Sequence, residues 1–212
     1  MSALLETVSG QLVDIENPDP NTINIEDIAW GLSRIPRFCG HTITVIPYNV
    51  ASHSMFVADE IVRIFKESSQ PDIDIDNNTW AKWKSDLTLQ NRIVMQALLH
   101  DAAEVYISDV PSPLKRIATL RPIIKELEYN LMKAIYISLN IKDPTVLEER
   151  LIKHADLIAQ KIEAFTFMHS RGKHWEGLPE VSLERLQQFT APVESLASYK
   201  MFMTRYNQLR DL

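Results

Sequence analysis

The chain has 212 residues, is 45% hydrophobic and 24% charged, and carries five glycines, one cysteine and a formal net charge of −6. These proportions suit one globular domain or at most two small ones, disfavour disordered and fibrous classes, and exclude a disulfide-stapled fold. Scarce glycine disfavours β-sandwiches and glycine-rich phosphate loops, the acidic balance disfavours a duplex nucleic-acid binder, and no apolar run reaches the roughly 18 residues of a membrane span.

The N-terminal stretch 1–24 is broken by Gly10, Pro18 and Pro20, and residues 11–15 read as a short edge strand or one arm of a hairpin. It has neither the basic nor the apolar region of a secretory leader, so the cytoplasm is the expected address. Residues 25–32 read as a short helix capped by Asn24. Residues 33–49 read as a loop with 42–46 extended. Ser52 to Lys66 reads as a helix, since Val50, His53, Val57, Ile61 and Ile64 recur on one face. The polar, acidic stretch 67–79 reads as a solvated linker, and 80–89 as a short amphipathic helix. Residues 91–106 read as one buried helix ended by Pro111 and Pro113. Helix resumes near Leu114, is interrupted at Pro122 and runs to Leu139. Asp143-Pro144-Thr145 reads as an N-cap with proline at the first helical position of a helix running to His169. After a loop over 171–179, a last helix spans 192–208. The expected fold is all-α with roughly seven helices, a single domain over 25–212 preceded by an extension over 1–24.

The informative residues are polar groups on apolar helix faces. His53 lies between Val50 and Val57, His100 and Asp101 sit inside ALLHDAAEV, and Asp156 shares a face with Ile152 and Ala159. A lone histidine on such a face is usually a satisfied core residue, and a lone buried aspartate a cap or half an ion pair. Two His and two Asp from three helices make a better set of ligands for one divalent ion, because a buried carboxylate is costly unless paired or metal-bound. Imidazole and carboxylate together suit Mn, Co, Zn or similar, with Mg also admissible. Adjacent residues point about 100° apart on a helix, so His100 and Asp101 can share an ion only at the side of their helix.

Glu104 and Asp109 follow Asp101 at three and eight residues, and carboxylates there can order a water nucleophile and shuttle protons. Taken alone, the first reads equally well as an exposed helix residue and the second as a turn former. Arg37 and Lys115 are candidate phosphate contacts. Phe38 and His41 are candidate substrate contacts, while Arg34 reads as a surface charge. His154, His169 and His174 read as surface residues, Trp30, Trp80, Trp83 and Trp175 as packing residues, and Cys39 has no assigned role.

At these residues the chain resembles the HD-domain metal-dependent phosphohydrolases, by His53, then His100-Asp101, then Asp156. Within that superfamily it is similar to bacterial 5′-deoxynucleotidases and to phage deoxynucleoside triphosphate hydrolases, through IEDIAWGLSRIPRFCGHT, YNVASHSMFVAD, ALLHDAAEVYISDVPSPLKR and HADLIAQKIEA. The resemblance implies an HD helical fold, metal ligands at His53, His100, Asp101 and Asp156, and catalytic work by Glu104 and Asp109. It also implies substrate contacts from Arg37, Phe38, His41, Pro113 and Lys115. Phe38 stands where relatives often carry tryptophan. The implied reaction is hydrolysis of the 5′-phosphate ester of a deoxynucleotide, with a small nucleotide as partner and self-association expected. Alternatives are a dNTP triphosphohydrolase, for which Arg34 or Arg116 would supply extra cations, and a silent nucleotide sensor.

Overall fold

The computed structural model describes residues 3–67, 70–187 and 191–212. Positions 1 and 2 of the expected extension and 68 and 69 of the expected linker lie outside the described residues. Among those described there are ten α-helices and one two-stranded sheet. The all-α expectation holds. The helix number is higher because three helices, α5 (Glu104–Ile107), α6 (Ser112–Lys115) and α9 (Leu183–Leu186), are single turns that no hydrophobic period could announce.

The N-terminal element is a hairpin, β1 (Leu4–Glu6) pairing antiparallel with β2 (Leu12–Asp14), in register Leu5 to Val13. Val13 is buried in the main core. The turn of the hairpin is held to α1 (Ile25–Leu32) by Asp27, which accepts from Thr7 Oγ1 (2.7 Å), Ser9 Oγ (2.6 Å), Ser9 N (3.1 Å) and Asn24 Nδ2 (2.8 Å). Asn24 caps α1 as expected. Gly31 lets α1 lie against α5, since a Cβ there would stand 2.0 Å from Val105 Cγ2.

α2 (Val50–Lys66) is the central helix. It begins two residues earlier than its apolar period suggests, because the Asn49 side chain accepts from Ser52 N at 3.0 Å. α2 packs most extensively on α4 (Leu87–Leu98) and α8 (Val146–Phe167). α3 (Asn77–Ser85) is capped by Asp76 and starts inside the expected linker; Trp80 and Trp83 are buried. The expected extended stretch 42–46 forms no strand; residues 43–46 are bends.

Two expected helix limits move for local reasons. The interruption expected around Pro122 falls just before it, at residues 116–120, and Pro122 itself sits in the first turn of α7 (Arg121–Ser138), where a proline loses no hydrogen bond. Thr145, not Asp143, caps α8, because Thr145 and Glu148 form a reciprocal capping box. α10 (Ser195–Arg210) closes the core with Phe202 and Tyr206, and Asn49 Nδ2 ties it to the start of α2 through Ser198 Oγ at 2.9 Å. Among the described residues no helix is long and apolar enough to cross a membrane.

Candidate metal centre and its cleft

The expected helix over 91–106 is broken where the chemistry lies. α4 ends at Leu98 with Leu99 as its cap, and residues 100–103 run as turns before α5. The break removes the 100° divergence expected of His100 and Asp101: Asp101 Oδ2 lies 3.2 Å from His100 Nε2 and 3.4 Å from His53 Nε2.

Ligand atoms of His53, His100 and Asp156 lie within 4.8 Å of one another, and His53 Nε2 is 3.2 Å from Asp156 Oδ1. Asp101 borders the same space. His53 Nε2 and His100 Nε2 are both buried without a hydrogen-bond partner. Two buried ring nitrogens left over beside two carboxylates fit a divalent cation. Each imidazole is aimed from behind: His100 Nδ1 meets the Ala97 carbonyl at 2.8 Å and His53 Nδ1 meets Glu163 Oε1 at 2.7 Å. A proton on Nδ1 leaves Nε2 free to coordinate. Burial and Arg37 oppose a charge on His53, yet Glu163, Asp101 and Asp156 outweigh them and raise its pKa.

The centre opens into a cleft of about 770 Å³. All the expected catalytic and substrate residues line it: Glu104, Asp109, Arg37, Phe38, His41, Pro113 and Lys115. Glu104 is buried rather than an exposed helix residue. Burial, then Asp101 and Asp109, push its carboxyl well above the usual range, only partly offset by Arg37 and Lys115. Asp109 is raised chiefly by burial. It follows Ser108, whose φ of 68° lies in the left-handed region. Lys115 Nζ is held 2.8 Å from Glu128 Oε1 and stands 3.9 Å from Glu104 Oε1.

The wall opposite the helices comes from two loops. The segment 37–48 is closed at its base by Arg37 N to Tyr48 O (2.8 Å) and Val50 N to Ile35 O (3.0 Å). Phe38 and Cys39 both have left-handed φ, 57° and 53°, which costs roughly 1–3 kcal/mol per residue and throws the Phe38 ring across the cleft. There it meets Trp175 at 5.5 Å between centroids. Trp175 packs and His174 is exposed, as expected, and both also line the cleft, which Met168, Glu176 and Leu178 border as well. Arg34 stacks on Trp30 at 3.5 Å and does not line the cleft.

Sequence reasoning missed Glu163, Tyr48 and Lys153. Glu163 lies two turns after Asp156 on α8, a spacing that could have flagged it. Lys153 Nζ stands 2.6 Å from Asp156 Oδ2, one turn away. Tyr48, in a loop, carried no signal.

Comparison with known proteins agrees with this geometry. A family profile described as "5'-deoxynucleotidase YfbR-like" matches residues 30–208. The chain is 28% identical over 213 residues to the uncharacterized protein YfdR of Escherichia coli K12, covering 99% of this chain and 97% of the relative. It is 32% identical over 160 residues to the uncharacterized protein RCAP_rcc00048 of Rhodobacter capsulatus, covering 74% of this chain and 69% of the relative.

Proposed function

The chain belongs to the YfbR-like 5′-deoxynucleotidase family of phosphohydrolases, and from that premise we propose that it hydrolyses 2′-deoxynucleoside 5′-monophosphates to deoxynucleosides and inorganic phosphate. One observation supports this reading most: Asp101 and Asp156, with the His53 and His100 ring nitrogens beside them, share one cleft with the carboxylates of Glu104 and Asp109 and the cations of Arg37 and Lys115. Its volume falls within the roughly 300–1,000 Å³ usual for small-molecule sites.

His53, His100, Asp101 and Asp156 would hold the ion. Once bound, a divalent cation there supplies Lewis acidity toward a phosphoryl oxygen and acidifies water. Arg37 and Lys115 offset charge on the equatorial phosphoryl oxygens. Glu104 orients the attacking water and takes its proton, a task suited to a carboxylate whose proton affinity burial and neighbours have raised. The P–O5′ bond breaks with its electron pair on O5′, which takes a proton from the Asp109 carboxyl; the proton taken up by Glu104 passes to solvent, from which Asp109 is reprotonated. Asp109, with its own proton affinity raised, faces the sugar and leaving-group side.

The charge lining the cleft favours a monophosphate over a triphosphate. Arg37, Lys115, Arg116 and Lys153 stand against Asp101, Glu104, Asp109, Asp156 and Glu176. Adding a divalent ion leaves an excess of about one positive charge, which suits a phosphate dianion better than a triphosphate. We further take residues 25–212 as the catalytic unit, with 1–24 as its extension. The test is turnover of NMP, dNMP and dNTP panels by protein stripped of metal and reloaded with Mn, Co, Zn or Mg, with identification of the phosphate released. Inorganic phosphate from dNMPs is expected. Tripolyphosphate from dNTPs, or no turnover with any metal, would overturn the reading.

A further inference from the structure

Glu163 is fully buried, at 0% exposure, and none of the chemistry above uses it directly. Its two oxygens serve different partners. Oε1 accepts from Tyr48 Oη at 3.0 Å and faces His53 Nδ1 at 2.7 Å. Oε2 faces Arg37 Nε at 3.4 Å, while Nη1 of the same guanidinium lies 3.5 Å from Asp101 Oδ2. Arg37 is itself buried and lines the cleft. One carboxylate thus stands behind both a candidate ligand and the innermost cation of the cleft.

A buried ion pair adds little net stability, since desolvation consumes most of the attraction. A buried carboxylate that aims two functional groups at once has a reason to be there. We propose that Glu163 is a positioning residue shared by the metal and phosphate subsites, with Oε1 fixing the His53 tautomer that coordinates through Nε2 and Oε2 fixing the Arg37 guanidinium against the substrate phosphoryl group. The inference rests on the phosphohydrolase reading of the cleft. Tyr48 completes the arrangement by holding Oε1 on the imidazole side. Both Arg37 and Tyr48 are delivered by the base of the 37–48 loop, where their backbones are paired.

The arrangement makes the two oxygens separable. In Glu163→Gln the amide oxygen can still accept from His53 Nδ1–H and Tyr48 Oη–H, but the amide NH₂ then meets Arg37, donor against donor. In Glu163→Ala both functions go. Metal affinity is read by competition with a chelating dye, independently of turnover. Phosphate binding is read as the KM of the phosphoester turned over and as product inhibition by inorganic phosphate. The expected result for Glu163→Gln is metal affinity within about threefold of wild type and a KM and phosphate inhibition constant weakened about tenfold or more. Glu163→Ala should lose roughly 10–100-fold in metal affinity as well. Arg37→Ala should match Glu163→Gln on phosphate with metal affinity unchanged, and the double variant Arg37→Ala/Glu163→Gln should bind phosphate no worse than Arg37→Ala alone. Equal losses in both readouts for the Gln and Ala variants, no loss in either, or additive losses in the double variant would overturn the proposal. If Glu163→Gln does not fold, Tyr48→Phe serves in its place: it should weaken metal affinity more than phosphate binding, and the reverse order would overturn the proposal. The failure of the dNMP reading would look different, with metal binding intact and turnover confined to another phosphoester.

Discussion

Two corners of the molecule each bury a carboxylate, and their partners set them apart. At the N-terminal corner Asp27, 3% exposed, takes its hydrogen bonds from neutral donors on the β1–β2 turn and the cap of α1. At the α2–α8 junction Glu163 takes its contacts from the buried His53 imidazole, the buried Tyr48 phenol and the Arg37 guanidinium, which lines the cleft. The first arrangement closes on itself, satisfying the carboxylate and fastening an edge. The second is open at one end, since His53 Nε2 borders the candidate metal centre and Arg37 lines the cleft. Burial of a charge does not distinguish a structural hub from a functional one; what lies beyond its partners does.

The contrast can be broken in order of expected effect. His100→Ala or Asp156→Ala should lower kcat/KM by about a thousandfold or more and abolish tight metal binding, measured by dye competition and steady-state kinetics, while leaving the fold cooperative. Activity surviving in either would remove Asp156 or His100 from the ligand set. Glu104→Gln should lower kcat by roughly 10²–10⁴ with metal affinity kept, because it removes the proton acceptor and not a ligand.

Effects at the other corner should appear chiefly in stability. Gly31→Ala should destabilise by about 1–3 kcal/mol, since the new methyl overlaps Val105 and α1 must move off α5. For a chain of this length that is a fall in Tm of roughly 2–4 °C per kcal/mol. Asp27→Ala should cost about 1–3 kcal/mol by leaving the donors of the turn unsatisfied, with metal affinity unchanged. The acid dependence carries a sign. Burial works against ionisation of Asp27, but bonds from Ser9, Thr7 and Asn24 outweigh it and lower its pKa below the ordinary 3.8. Its contribution is therefore fully present above about pH 4 and is lost as pH falls through the lowered value. Asp27→Asn should flatten that part of an acid unfolding curve; an unchanged curve would remove Asp27 from the account.

The helical class and the four candidate ligands were legible because they obey helix periodicity. His53 sits in an apolar face, Asp156 sits in another, and the His100-Asp101 pair sits in an apolar run. Glu104, Asp109 and Lys115 were legible through their spacing from that pair. The substrate wall was not. Phe38 and Cys39 in left-handed conformations, Ser108 in another, and Trp175 in the 168–178 loop follow no period, so their direction is set by what they close against.

What the sequence alone determined was thus an all-α chain with the donor types of a divalent-metal centre on three apolar stretches. The tertiary structure decided that α4 stops at Leu98, so that His100 and Asp101 face one point. It also decided that Glu163 stands behind both His53 and Arg37. The physical reason is range. Periodicity and capping act within a few residues and are written in local order, whereas the partner of a buried charge is chosen by packing between segments more than a hundred residues apart, as with Glu163 and His53.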